Sequence, residues 1–240
     1  MASLEIETIK TLSQFANLKA YYRFSSGALT TDSSGAGHTL TAISDQAEDA
    51  SGKFGGAVAL DGNDAYSATD HADFKPTGNY TFSCWFKGNT NPAANAGLFQ
   101  SYSNNTKIAG ISIRLDAAGK LIFLTGNNTG TTLHTNFEYT TSSVAVTDNV
   151  WHLLTCVYNG ATLGAYIDGT LDVSTAWTNA AAYAATNYVR LMTLNNAGTD
   201  EGFITGSLDD VVFFDRALTA DEISKLYNGT WPSSNFFAFF

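Results

Sequence analysis

The chain has 240 residues, a formal net charge of −10, a 14% charged fraction, 13% aromatics and three prolines. The acidity excludes the basic footprint that nucleic-acid binding needs, and no apolar run nears the ~20 residues of a membrane-spanning helix. Abundant small and amide side chains between short apolar runs mark one folded, turn-rich β domain rather than a disordered chain. The net acidity permits cation binding, and plain surface acidity accounts for it as well.

In chain order, residues 1–17 form an arm. Ile6, Ile9, Leu12, Phe15 and Ala16 fall roughly on one face there, so a short helix is expected. Glu5 and Glu7 and the lack of an apolar stretch exclude a secretory signal in this arm. Strands are expected at 18–24, 57–60, 81–87, 108–115 and 121–124, with a loop at 31–37. Two hairpins follow. Residues 151–158 run into Asn159-Gly160, and 161–167 run into Asp168-Gly169 before a strand at 170–174. Both dipeptides are two-residue hairpin signals, because both turn positions want positive φ. Many short strands with regular turn signals predict a sandwich or barrel.

The segment 206–214 reads as a buried strand that carries two adjacent carboxylates, Asp209 and Asp210. Buried carboxylates need a cation or several donors, and strand alternation assigns the two to opposite faces. A fully signalled helix follows. Thr219 and Glu222 have the spacing of a capping box, Leu218 and Ile223 that of a hydrophobic staple, and Gly229 is placed as a left-handed stop. The tail 231–240 contains four phenylalanines, which either pack on the domain or dock on a partner or second subunit. Parity puts Cys84 on a face with Tyr80, Phe82 and Phe86, and Cys156 on a face with Leu154 and Tyr158. They are either two buried thiols or a disulfide formed in an oxidising compartment.

Several segments, taken in order, resemble the laminin-G-like and pentraxin-like branch of the concanavalin A-like lectin/glucanase superfamily. They are Leu18-Lys19-Ala20-Tyr21-Tyr22-Arg23-Phe24, Asp32-Ser33-Ser34-Gly35, Gly52-Lys53-Phe54-Gly55-Gly56-Ala57, Leu60-Asp61-Gly62 and Tyr80-Thr81-Phe82-Ser83-Cys84-Trp85-Phe86. Trp151-His152, Tyr166-Ile167-Asp168-Gly169 and the closing strand and helix complete the series. The resemblance implies an all-β jelly-roll sandwich of two antiparallel sheets over 18–230, with a short C-terminal helix. The pentraxin branch has a disulfide between the strands that hold Cys84 and Cys156, which implies that these two are neighbours.

The resemblance also implies a structural Ca2+ held by Asp32, carbonyls near Gly35 or Gly37, and Asp209 or Asp210. The alternative is that these carboxylates accept backbone N–H bonds or pair with Arg23 or Arg216. Gly35-Ala36-Gly37 lacks the family's usual asparagine, so one amide ligand is missing. Asn104, Asn105, Asn195, Asn196, Asp200 and Glu201 occupy roughly the regions of the pentraxin ligand loops. Trp177 and Tyr183, near Asn127 and Asn128, are candidates for stacking on sugar; such aromatics are core about as often.

Catalysis is not expected. The glucanase Glu-x-Asp-x-x-Glu strand, which would set two carboxylates on one face, is absent. His38, His71, His134 and His152 are scattered and place no ligand pair on one element; His152 is expected to begin a strand as a structural residue. The expectation is a non-catalytic binding or structural module that takes a glycan or protein. It would be a surface component of a larger assembly, such as a phage or virus particle, on the virion or outside the cell, with 231–240 as the assembly contact. The alternative is a carbohydrate-binding module of a secreted bacterial protein or glycoside hydrolase.

Overall fold

A computed structural model describes residues 17–102, 109–127, 137–183, 188–196 and 198–229. The expected N-terminal helix and the aromatic tail lie outside them. The described strands are β1 (Leu18–Tyr22), β2 (Thr41–Ile43), β3 (Ala47–Gly52), β4 (Gly55–Asp61), β5 (Ala65–Ala68), β6 (Tyr80–Lys87), β7 (Ala96–Tyr102), β8 (Ala109–Leu115) and β9 (Lys120–Asn127). After these come β10 (Phe137–Ala145), β11 (His152–Tyr158), β12 (Thr162–Ile167), β13 (Thr170–Ala176), β14 (Tyr188–Leu191), β15 (Leu194–Asn196), β16 (Thr199–Glu201) and β17 (Thr205–Phe214). Helix α1 (Ala220–Tyr227) follows β17, and a 3-10 turn at Ala72–Phe74 precedes β6.

Two antiparallel sheets face each other. One has the order β13-β12-β11-β6-β17-β4-β3, with β1 also on β17; the other runs β10-β9-β8-β7-β14-β5-β2. The expected two-sheet sandwich is what forms. Inward side chains of both sheets make the main core, among them Phe82, Phe86, Phe99, Phe123 and Phe213. A smaller cluster lies on the outer face of the first sheet, where Ile223 and Leu226 of α1, with Leu218 just before it, pack on Tyr21, Trp85, Val212 and Phe214.

The terminal helix forms as its sequence dictates. Thr219 accepts from the Glu222 amide, Glu222 accepts from the Thr219 amide, and Gly229 adopts φ +64°. The Asp168-Gly169 turn has positive φ at both positions. A side chain at Gly169 would meet the Tyr227 Cβ at 2.9 Å, so this turn must be bare where the helix crosses it. Asn159-Gly160 differs from expectation, because only the glycine is left-handed. Asn159 instead folds its side chain under the amides of Ala161 and Thr162, an Asx turn that needs no positive φ at the asparagine.

The cysteines sit on neighbouring strands of one sheet, facing the main core. Cys84 lies opposite Leu154, and Cys156 opposite Phe82, so the two are diagonal rather than directly paired. Diagonal neighbours stand roughly 7–8 Å apart. Both thiols are free and buried, and burial pushes both pKa values up, which keeps them protonated.

Replacing Thr219 with alanine removes one half of the capping box. A loss of about 1 kcal/mol in urea unfolding is expected, because the anchored helix covers Trp85 and Val212.

Candidate functional site

The side chains that point away from the core of the seven-stranded sheet are set by period-2 alternation. In β8, Ile111, Ile113 and Leu115 face the core, which leaves Ser112 and Arg114 on the outer face. Register then assembles one row across all seven strands: Tyr139, Leu124, Ser112, Gln100, Arg190, Ser67 and Thr41. Arg114 lies in the next row, opposite Ile122. Phe137 lies two residues before Tyr139, and the two rings stack at 6.4 Å and 17°. Tyr139 is 51% exposed.

A hairpin, β15–β16, folds back over the middle of this face. Its hold is chemical. The Gln100 side-chain amide donates to the Asn195 carbonyl at 2.9 Å and accepts from the Asn195 amide at 2.7 Å, as a strand neighbour would. Arg190 Nε bonds Asp200 Oδ1 at 2.8 Å, and Asn195 Nδ2 donates to the same oxygen. Gly97 has no room for a side chain, since a Cβ would lie 2.2 Å from the Thr193 carbonyl oxygen.

Arg114 differs from Arg190. Its Nε is buried without a hydrogen-bond partner. Burial lowers its pKa and only the Tyr102 hydroxyl opposes this, with no carboxylate acting on it among the described residues. The Ser112 hydroxyl on the same face is also buried and unpartnered. A half-buried guanidinium without a counter-ion costs free energy and is suited to a planar anion, which it binds bidentately.

The ligand residues expected from sequence separate into groups. Asn195, Asn196, Asp200 and Glu201 all belong to the β15–β16 hairpin, so they do reach this face. Asn195 and Asp200 are consumed in holding it there. Trp177 and Tyr183 pack against the inter-sheet core, and Tyr183 donates to the Pro76 carbonyl; neither presents an open stacking platform. Their segment does pass the end of β9, where the Ala182 amide donates to the Gly126 carbonyl beside Asn127. Asn104, Asn105, Asn128 and His134 lie outside the described residues. Sequence reasoning missed Gln100, Ser112, Arg114, Phe137 and Tyr139. The alternation Ile111-Ser112-Ile113-Arg114-Leu115 is the signal that would have found two of them.

The carboxylates expected to clamp a cation are arranged as follows. Asp32 accepts three backbone amides, from Tyr21, Ser34 and His38, through both oxygens. Asp209 accepts from the Phe54 amide at 3.1 Å. Asp210 accepts from the Tyr21 hydroxyl at 2.6 Å and leaves Oδ2 buried without a partner. Simple parity fails here. A β-bulge interrupts the pairing of β17 with β6, so that Asp210 and Val211 together oppose Cys84. Asp210, at φ +45°, is the extra residue, and the bulge turns it from the core toward Tyr21 and the outer face that Asp209 shares.

His152 begins β11, as expected, and both ring nitrogens are engaged, by Asp168 at 2.8 Å and Asp148 at 3.0 Å. These carboxylates raise its pKa, with burial opposing.

A family model described as "Concanavalin A-like lectin/glucanases superfamily" matches residues 61–224. The chain belongs to this superfamily, as a Laminin_G_3 domain. No curated protein matches it in sequence. Among solved structures, the binding domain of Paraclostridial Mosquitocidal Protein 1 superposes with a TM-score of 0.71 at 17% identity, over 89% of this chain and 52% of that one. Botulinum neurotoxin type C, whose cell entry is dependent upon interaction with two ganglioside molecules, gives 0.69 at 15%, over 89% and 51%. Domain 4 of AbnA, a GH43 extracellular arabinanase from Geobacillus stearothermophilus in complex with arabinotriose, gives 0.68 at 19%, over 88% and 98%. This chain thus spans about half of the two toxin chains and nearly all of the arabinanase domain. At these identities the likeness is one of fold.

Burial raises the pKa of Asp209 to about 6 against the amides that hydrogen-bond it, and burial together with the Asp209 charge raises that of Asp210 well above the ordinary value. The folded state therefore holds protons that the unfolded chain releases near pH 4. The stability this pair contributes is complete below that pH and is lost as pH rises through 6 and beyond. Asp210→Asn keeps the acceptor for Tyr21, tolerates the positive φ and removes the charge. It is expected to gain on the order of 1–3 kcal/mol at pH 8 and little at pH 5, measured by thermal melts at both. An equal gain at both pH values would show that ionisation is not the cause.

Proposed function

We propose that this chain is a non-catalytic glycan-binding module that uses the outer face of its seven-stranded sheet. The observation that carries this reading is the meeting on one face of a stacked aromatic pair, Phe137 and the exposed Tyr139, with an arginine, Arg114, on which no carboxylate acts among the described residues. Flat rings suit the C–H faces of sugars. With strands ~4.8 Å apart and alternate residues ~6.8 Å apart along a strand, Tyr139 and Arg114 are separated by roughly 12 Å, a span suited to a short oligosaccharide. Arg114 selects within that class for a sugar that carries a carboxylate. The fold's occurrence in an arabinotriose complex and in ganglioside-dependent toxins supports the reading by analogy.

The near-complete match to one domain of an arabinanase favours a module appended to a larger secreted protein. A place on a phage or virus particle rests on the N-terminal arm, read as lacking a secretory signal, and on the aromatic tail 231–240; residues 1–16 and the tail lie outside the described residues.

A glycan array, followed by calorimetry on the hits, tests the proposal. Sialylated or uronic-acid glycans are expected to bind above neutral ones. Tyr139→Ala is expected to weaken binding to all of them about tenfold, or ~1.4 kcal/mol. Arg114→Gln is expected to abolish the preference for acidic sugars without lowering the melting temperature, since it removes a half-buried charge that has no carboxylate partner among the described residues. Binding that survives both substitutions would refute this face as the site, and an array without hits would refute the function.

A further inference from the structure

Folding unites two of the histidines that the sequence leaves apart. His38 lies in the β1–β2 connection, while His71 and Asp73 flank the start of the 3-10 turn before β6. Each offers a ligand atom within 4.8 Å of the other two, and among the described residues no other trio of His, Cys, Asp or Glu meets that condition. His38 Nε2 is 2.8 Å from Asp73 Oδ2, and His71 Nδ1 is 3.2 Å from the same oxygen. The two imidazole rings lie 4.6 Å apart.

Hydrogen bonding alone satisfies this group poorly. His71 Nδ1 also stands 3.2 Å from the Asp73 amide, as the cap of the turn. A ring nitrogen either donates or accepts. If it accepts from the amide, it meets the Asp73 oxygen lone pair to lone pair. A cation between them removes the repulsion, since both atoms then turn lone pairs to it; His71 Nδ1 has only one, so its contact with the Asp73 amide is given up in exchange. Metal–ligand bonds of 2.0–2.1 Å in a tetrahedral site place ligand atoms about 3.3 Å apart; the two edges to Asp73, at 2.8 and 3.2 Å, are within a few tenths of an ångström of that, and the third, between the two histidine nitrogens, lies within 4.8 Å.

The surroundings hold the ligands in place. The His38 amide donates to Asp32 at 2.9 Å, its carbonyl accepts from the Tyr22 hydroxyl at 2.8 Å, and its ring lies 4.9 Å from Phe74. Lys19 bridges Asp73 and Asp215, at 3.5 and 3.1 Å. Burial works against ionisation of Asp73, but the His38 hydrogen bond and the Lys19 charge outweigh it and hold its pKa below the ordinary value. Asp73 also lines a groove of about 430 Å³ with Lys75, Thr77, Asn79 and Asp215.

We propose that His38, His71 and Asp73 bind one divalent transition metal of the zinc class and so join the β1–β2 connection to the β5–β6 connection. Two imidazoles and one carboxylate favour such a metal over calcium or magnesium, which take oxygen ligands. Three protein ligands leave a fourth position for water or a ligand group.

The test uses the full chain, stripped with chelator and then titrated with zinc by calorimetry, and with cobalt by visible absorption. One equivalent is expected to bind with micromolar affinity, raise the melting temperature by several degrees and give the visible bands of four-coordinate cobalt. His71→Gln and His38→Gln are each expected to weaken binding at least about tenfold. His71 is exposed, so its variant is expected to melt like the wild type in chelator. The absence of heat and of a melting shift at millimolar zinc would overturn the proposal. So would zinc binding that is unchanged in both variants, or calcium binding of equal affinity with the same sensitivity to His71→Gln.

Discussion

The architecture depends on β17. It pairs with β6 along one side, and with β4 and then β1 along the other. The two halves of its sheet, β6 to β13 on one side and β4, β3 and β1 on the other, are joined through it. One strand can serve two successive partners only if it bends between them, and the bulge at Asp209–Asp210 lies at that change of partner. The bulge has an electrostatic consequence. It keeps Asp210 out of the aromatic core and delivers it to the Tyr21 hydroxyl, at the cost of placing two carboxyls side by side in a buried setting. Their raised pKa values are the result of solving a chain-tracing problem with acidic residues.

The two faces of the sandwich are used differently. The outer face of the β17 sheet is closed by α1, whose capping box and buried Ile223 and Leu226 make it a structural cover. The outer face of the β7–β9 sheet is covered at its middle by a polar hairpin held through side-chain amides and one ion pair. An apolar cover excludes ligand and water alike. A polar one leaves an unpaired guanidinium and exposed rings beside it, and that difference is why binding is assigned to this face.

The His38–His71–Asp73 cluster lies apart from that face, in loops at strand ends. Both regions follow from the same topology. The sheets position the strands, and the connections bring together polar residues distant in sequence. The Asp32 loop illustrates the economy of this. Its carboxylate orders three amides, and one of them fixes the backbone of His38.

Local rules made much of the fold legible in the sequence. The capping box, the Asp168-Gly169 turn and the apolar strands 81–87 and 121–124 depend on neighbours a few residues apart, and these form as read. The short strands β2, β3, β15 and β16 were not legible, because their residues, such as Ala47–Gly52, have little strand preference of their own and are recruited by a partner. Parity misassigned Asp210 because a bulge is decided by pairing and not by the residue itself. The site residues show the same division. The sequence determined which side chains alternate with the core, Ser112 and Arg114 among them. Only the tertiary structure decided that Tyr139, five strands' order away from Ser67, shares a row with it, or that His38 meets His71 and Asp73, since register and loop closure are properties of the assembled sheets.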